Sequence, residues 1–444
     1  MGLFHWTSNQ SSDKSPTPAQ EDYDNAKRHY SDGNFTEALG ALTHAFAKDI
    51  NFKPLYQLAA DCLAALGGEY EQSIFENALQ HFNDGQSFST LGDYYYEMEH
   101  YHMAVSFYEK AVSLKATAEP LHHNLAVSYA RQFQVAKAHD LLNGLTTRDF
   151  WSVYFLYKCK ILLNQTENVA QALDEMMVFL NGMEQQEGLA IPKQKVAELQ
   201  EMYQRLLTVE KPEQHISEWH FIQYGSVVLD YFESEDYVAG GRYVASWDSN
   251  ESIKKNVQQL KFFLQQMGLS FSTVAVLNNR NAAIVGQVIA AELGIVFEYL
   301  DAENLPYNAL IVAADSSEFN DWEQLTTIDH GQVLYALNHN WLMPSVLSPD
   351  IIGFMSQAYY FPWNGGGLRM NEATNEMEQT AEDNRSEDAI AADIIRLENV
   401  NDNSAEDYSF YLDRKTWLKG IGEKAGSQRY NFMIESPVTG AYFS

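Results

Sequence analysis

With 444 residues, 45% of them hydrophobic and 13% aromatic, the chain exceeds one ordinary core and can bury two or more, which excludes a wholly disordered protein. A formal charge of -31 argues against binding a phosphate backbone, where Lys and Arg must displace counterions, and fits basic protein partners or plain solubility better. Cys62 and Cys159 are the only cysteines and lie in apolar helical patterns, so they read as buried thiols of a reducing compartment and exclude a disulfide framework. The first residues lack the charged and apolar regions of a signal peptide, and no apolar run of about 18 residues occurs. A cytoplasmic protein with neither membrane nor nucleic-acid contact is expected. Gly2 does not make a myristoylation motif, because Trp6 stands where Ser or Thr is required.

Residues 1–18, with Leu3, Phe4 and Trp6 ahead of a Ser/Pro/Gln tract, read as a disordered arm. Helical periodicity starts near Ala19: Tyr23, Ala26 and Tyr30 lead to the turn at Gly33-Asn34-Phe35, then Ala38, Leu42 and Ala45. A second pair runs through Leu55, Leu58 and Ala59, breaks at Gly67-Gly68 and resumes at Tyr70. The fullest pattern spans Phe88 to Ala116. Leu91, Gly92 and Tyr95 share one helix face, and Ala104, Tyr108 and Ala111 share the next. Gly92 and Ala104 let the two helices approach while the tyrosines fill the wider gaps. About 34 residues further on, Leu125, Ala126, Tyr129, Ala138 and Leu142 reproduce the pattern in register. The unit and its period resemble the tetratricopeptide repeat. Leu156, Cys159, Leu163, Ala172, Met176 and Phe179 extend it as a fifth, degenerate unit, with Lys160 where a small residue is usual. Val196, Leu199, Tyr203 and Leu206 mark a capping helix, so the helical-repeat solenoid is expected over residues 19–210. The resemblance implies a concave groove lined by first helices and holding a protein or peptide segment, with Ser89, Asp93 and Tyr96 in one unit and His123, Asn124, Val127 and Arg131 in the next.

From His215 the pattern changes to short β-rich runs, and residues 213–369 read as an α/β domain with a mainly parallel open sheet. Its strands are expected at Ser226–Leu229 and Tyr243–Trp247, followed by a helix from about Ser249 to Gln266, N-capped by Ser249 or Asn250 and ended by Gly268. Strand Thr273–Leu277, loop Asn278–Asn281, helix Ala282–Leu293, Gly294 and strand Ile295–Leu300 imply a parallel pair with a right-handed crossover. Further strands are expected at Ala309–Ala314 and Gln332–Asn338. Pro344, Pro349 and Pro362 punctuate a Tyr- and Trp-rich stretch that ends at Gly365-Gly366-Gly367, read as a flexible boundary. Residues 370–407 read as a disordered acidic linker holding a short helix near Ala389–Leu397, and residues 408–444 as a segment packed back on the α/β domain.

In such sheets ligands bind beyond the carboxyl ends of the strands, where a loop enters a helix N-terminus. Asn278, Asn279, Arg280 and Asn281 occupy such a loop, and Arg280 suits clamping a phosphate or carboxylate. The alternative is that Asn281 caps the helix and Arg280 pairs with surface carboxylates. The loop, the helix opening Ala282-Ala283, the strand ending at Asp301 and the run Leu310 to Asp315 resemble the phosphoribosyltransferase core, in which that first loop binds pyrophosphate. The sequence departs from that family at Ser316-Ser317-Glu318-Phe319, which replaces its ribose-phosphate loop, and only Asp315 remains of the acidic pair. The resemblance therefore implies a copy without catalysis. In a dinucleotide-binding reading Asp301 would meet a ribose, but the loop has no glycine. Asp315, Glu318 and Asp321 form either a cation cluster or the cap of a helix. His100 with His102, and His122 with His123, lack metal-ligand spacing, and no P-loop, HExxH or GxSxG motif occurs. Two functions follow: a non-enzymatic adaptor holding a partner segment in the groove, needing no cofactor or metal; or an enzyme or sensor for a small anionic metabolite bound at Asn278 to Asn281, with Asp301 and Asp315.

Overall fold

The computed structural model describes residues 17–116, 119–183, 188–212, 215–232, 240–328, 331–371, 376–399, 403–422 and 426–439, so nearly all of the expected N-terminal arm lies outside the described residues. The chain divides into two compact units, one of residues 1–132 and 137–155, the other of residues 133–136 and 156–444.

The first unit is helical. It contains α1 (Gln20–Ser31), α2 (Phe35–Lys48), α3 (Pro54–Ala65), α4 (Glu69–Gln80), α5 (Gly85–Glu97), α6 (Tyr101–Ser113) and α7 (Glu119–Arg131), most of α8 (Val135–Asn143) and the first half of α9 (Phe150–Leu162). Consecutive helices pack in pairs, α1 on α2, α3 on α4 and α5 on α6. The residue that reverses each pair is left-handed: Gly33 at φ 79, Gly67 at φ 81 and Glu99 at φ 59, with Phe133 at φ 60 between α7 and α8. The first two positions carry the residue that tolerates this backbone, while Glu99 and Phe133 hold it against a Cβ penalty of roughly 1–2 kcal/mol. Gly92 makes the α5–α6 contact possible, because a Cβ there would lie 2.4 Å from Tyr108 Cδ1. Behind it, Phe46, Tyr56, Phe75 and Phe107 form one aromatic core, with Tyr95 stacked on Phe107 at 5.3 Å.

The second unit is built on a parallel sheet. After α10 (Val169–Gly182), α11 (Ala190–Leu207) and α12 (Ile216–Tyr224) come β1 (Val227–Val228), β2 (Tyr243–Trp247), α13 (Asn250–Met267), β3 (Thr273–Val276), α14 (Arg280–Leu293), β4 (Val296–Tyr299), β5 (Ala309–Asp315), β6 (Val333–His339) and β7 (Ile351–Tyr360). The strand order is β4-β3-β5-β6-β7, and β1 and β2 both pair with β7, one against each half of it. Every pairing in this sheet is parallel. The chain leaves β3 through α14 to β4 on one side and then returns to β5 on the other, so the switch point of the topology lies between the carboxyl ends of β3 and β5.

Several sequence expectations need correction. The proline-punctuated stretch contains β7, the longest strand, which periodicity missed because a strand covered on both faces shows no alternation. Its Gly353 is required, since a Cβ would lie 2.5 Å from the Leu337 carbonyl oxygen and 2.7 Å from Asn256 Oδ1. The glycine triplet is no boundary: Gly366 N donates to Thr380 O and Thr380 N to Gly367 O, closing the base of the antiparallel pair β8 (Leu368–Asn371) and β9 (Glu376–Gln379). The acidic linker is ordered through α15 (Glu387–Arg396), which buries Ile390, Ala391 and Ile394 and packs on α13 and α14.

Residues 156–210, assigned from sequence to the repeat array, belong to the second unit. There the buried Arg205 donates to the carbonyls of Ile222 and Gln223 at the end of α12, and Glu201 pairs with Lys419 at 2.7 Å. The C-terminal segment, including α16 (Ser409–Leu412), packs on the same unit. Arg429 there forms a fully buried pair with Asp350 at 2.7 Å, while Arg429 also donates to Leu325 O and Gln332 O.

Candidate functional site

At the switch point, side chains from successive strand ends are tied into one network. Asn279, rather than the expected Asn281, caps α14 by accepting from Ala282 N at 2.9 Å, and its Nδ2 donates to Glu318 at 2.9 Å. The Glu318 carboxylate also accepts from Ala314 N at 3.1 Å and Asp315 N at 3.2 Å. Asp315 accepts from Ser317 N and from Asn338 Nδ2, the latter at 2.7 Å, and Asn338 accepts from Ser356 N and Oγ. The chain of contacts therefore runs from β3 through β5 and β6 to β7. Burial raises the Glu318 pKa, against the three donors that favour its charged form. Beside it, His339 Nδ1 lies 2.7 Å from Ser316 Oγ, and its ring meets Phe432 edge-on at 4.2 Å. Burial pushes the His339 imidazole down to about 4 and holds the neighbouring His220 well below the ordinary value.

Of the residues proposed from sequence, the network unites Asn279 and Asp315. Asn278 is exposed, and Asn281 accepts from Trp363 Nε1 at 2.7 Å. Arg280 points elsewhere: its guanidinium donates to the carbonyls of Asp383 and Arg385 and lies 3.7 Å from Glu382, which fastens the segment before α15. Asp301 caps its own exposed turn, accepting from Glu303 N and Asn304 Nδ2. Those bonds, Asn304 first, lower its pKa. The loop that would receive an anion is thus engaged by the chain's own Glu318 carboxylate, and the residue expected to clamp the anion is a structural tie.

A second feature of the strand termini escaped the sequence reading. The carboxyl ends of β2 and β7 border a cleft of about 520 Å³. Parallel register sets Trp247 beside Tyr360, and their rings stack at 5.4 Å with 5° between planes, 52% and 41% exposed. Phe361 and Trp363 stack at 5.3 Å on its buried side. The rim is the start of α13, Ser249 to Glu251, and the remaining lining includes Asp248, Gly367, Thr380, Asp383 and Ile390. Asp248 accepts from Tyr359 Oη and Ser249 N, and burial raises its pKa. Arg385 holds Asp383 down to about 2. The available signal in the sequence was an aromatic residue at the end of each of two strands, each close to a turn: Trp247 ahead of Asp248-Ser249-Asn250, and Tyr360 ahead of Pro362.

In the helical unit the proposed groove residues separate into two kinds. Ser89 and Val127 are buried. Asp93 accepts from Tyr108 Oη at 2.7 Å and from Asn124 Nδ2 at 3.3 Å, so these two half-buried residues join α5, α6 and α7. Tyr96, His123 and Arg131 are half-buried too, but cluster on aromatics. Tyr96 meets Tyr101 at 5.8 Å, Arg131 Cζ lies 5.6 Å from the Tyr101 centroid, and His123 meets Phe155 at 5.9 Å. Both kinds meet α6: Asp93 and Asn124 through Tyr108, and Tyr96 and Arg131 through Tyr101 at its first position.

No protein-family profile matches the chain, and no curated protein matches it in sequence. Among solved structures it is similar to that of PilW, described as a widely conserved type IV pilus biogenesis factor. The identity is 11% and the TM-score 0.21, over 44% of this chain and 97% of that one.

Proposed function

We propose that this chain is a non-enzymatic interaction scaffold whose helical unit is of the tetratricopeptide kind and holds a segment of a protein partner. The observation that carries the proposal is the recurrent left-handed turn at Gly33, Gly67 and Glu99, each joining a closely packed helix pair. Stacked pairs of this kind generate extended surfaces suited to peptides. The half-exposed Tyr96, Tyr101 and Arg131 cluster supplies aromatic area and a positive charge for such a segment. The second unit serves as a separate binding module in a cytoplasmic protein. Against the alternative of a small anionic metabolite at Asn278 to Asn281 stand Glu318, which accepts from Asn279 Nδ2, and Arg280, which donates to the carbonyls of Asp383 and Arg385.

The test is a photo-crosslinking amino acid at position 96, identification of the captured segment, and titration of that segment as a synthetic peptide into the purified chain. Arg131→Ala should weaken the peptide by about tenfold, the loss of a charge-assisted contact of roughly 1.4 kcal/mol. Equal affinity in a folded Arg131→Ala variant would remove the assignment.

A further inference from the structure

The cleft at the ends of β2 and β7 has a composition that selects its ligand. Its volume, about 520 Å³, lies within the range of small-molecule sites, roughly 300–1,000 Å³. Trp247 and Tyr360 offer exposed π faces, and Asp248, Glu251 and Asp383 add three carboxylates, while the lining includes neither Lys nor Arg. Asp383 is already neutralised by Arg385 at 2.7 Å. That leaves Glu251, with Asp248 already accepting from Tyr359 Oη and Ser249 N, against the start of α13, whose dipole is equivalent to roughly half a positive charge. The balance is negative, and the aromatic faces carry negative potential as well. Both terms favour a cation and disfavour a phosphate or carboxylate.

We propose that this cleft binds a cationic nitrogen group, a guanidinium or ammonium, with the group against an outer face of the Trp247–Tyr360 stack and its charge met chiefly by Glu251. Two sources present this chemistry: a free small amine, and an Arg or Lys side chain of a partner. The site is independent of the helical unit, so failure of one proposal leaves the other standing.

Isothermal titration of the full chain with ethylguanidinium and with a capped Gly-Arg-Gly peptide tests it, the capped Gly-citrulline-Gly peptide being the neutral control. At least one cation should bind about tenfold or more tighter than the control, and binding should weaken as salt is raised. Ethylguanidinium binding as well as the peptide assigns a free amine, and binding of the peptide alone assigns a partner's side chain. Trp247→Leu should reduce affinity about tenfold, and Glu251→Gln several-fold. Both residues are exposed, so unchanged thermal unfolding serves as the control for folding. No binding by either cation at millimolar concentration, equal binding of the citrulline peptide, or unchanged affinity in Trp247→Leu would overturn the proposal.

Discussion

Two places along one row of strand termini are built from similar parts and end differently. At β3 and β5 a helix N-terminus meets a carboxylate three residues into the next turn, and Glu318 satisfies Asn279 and two backbone amides. At β2 and β7 a longer helix begins beside two stacked aromatics, and about 520 Å³ of cleft lies beyond them. The difference is one of self-satisfaction. A short acidic turn can fold back on the amides of its own strand end, whereas Trp247 and Tyr360 stack on each other and stay half-exposed. At the switch point the chain's own Glu318 takes up the donors, while the open cleft lies at β7, two strands from β5.

Both places hang on one sheet, whose amino end is tied to the C-terminal segment, and breaking that tie has the largest expected effect. Asp350 receives Arg429 Nε at 2.9 Å and Nη2 at 2.7 Å, and also Leu334 N at 2.8 Å, all buried. Asp350→Ala strands a guanidinium in the interior and should cost about 3–5 kcal/mol in urea unfolding. A loss below about 1 kcal/mol would show that the C-terminal segment is dispensable to the sheet.

Acid should act next, and selectively at the closed end. His339 is neutral in the fold, with a pKa of about 4, whereas the unfolded chain protonates it below about 6.5. The unfolded state then binds more protons, so this contribution is complete above pH 6.5 and is lost as pH falls towards 4, by about 2 kcal/mol between pH 7 and pH 5. His220, also depressed, acts in the same direction. Urea midpoints at the two pH values measure the loss, and His339→Asn should reduce the slope.

Removing the carboxylate at the switch point sharpens the contrast further. Glu318→Ala leaves Asn279 and the amides of Ala314 and Asp315 without their acceptor, at a cost of about 1–3 kcal/mol. The vacated position should then answer to sulfate or phosphate with a rise in melting temperature larger than that of the parent. An identical response in both proteins would mean that Glu318 is not standing in for an anion. The smallest stability effect belongs to the open end. Trp247→Leu, at a half-exposed position, should change unfolding by less than about 0.5 kcal/mol while altering cation binding.

Legibility followed the range of the forces involved. The crossover around α14 is readable to within two residues, because Thr273 to Val276 is a short apolar run and Gly294, at φ 69, ends the helix, while the cap is Asn279 and not the expected Asn281. The repeat turns are readable for the same reason where glycine marks them, at Gly33 and Gly67, whereas Glu99 carries no such local mark. By contrast, β7 carries no local alternation, and α15 lies in an acidic stretch whose three buried apolar residues were outweighed by composition.

What the sequence determined by itself is local: helix pairs with close approaches at Gly92 and Ala104, a strand–helix–strand unit, caps and a surface of strong negative charge. These arise from backbone sterics and from contacts within a few residues. Tertiary structure alone decided that Glu318 meets Asn279, that Arg280 turns to residues 383 and 385, and that Trp247 lies on Tyr360, 113 positions away in the numbering. Such meetings depend on strand order and parallel register, which are set by packing of the whole sheet.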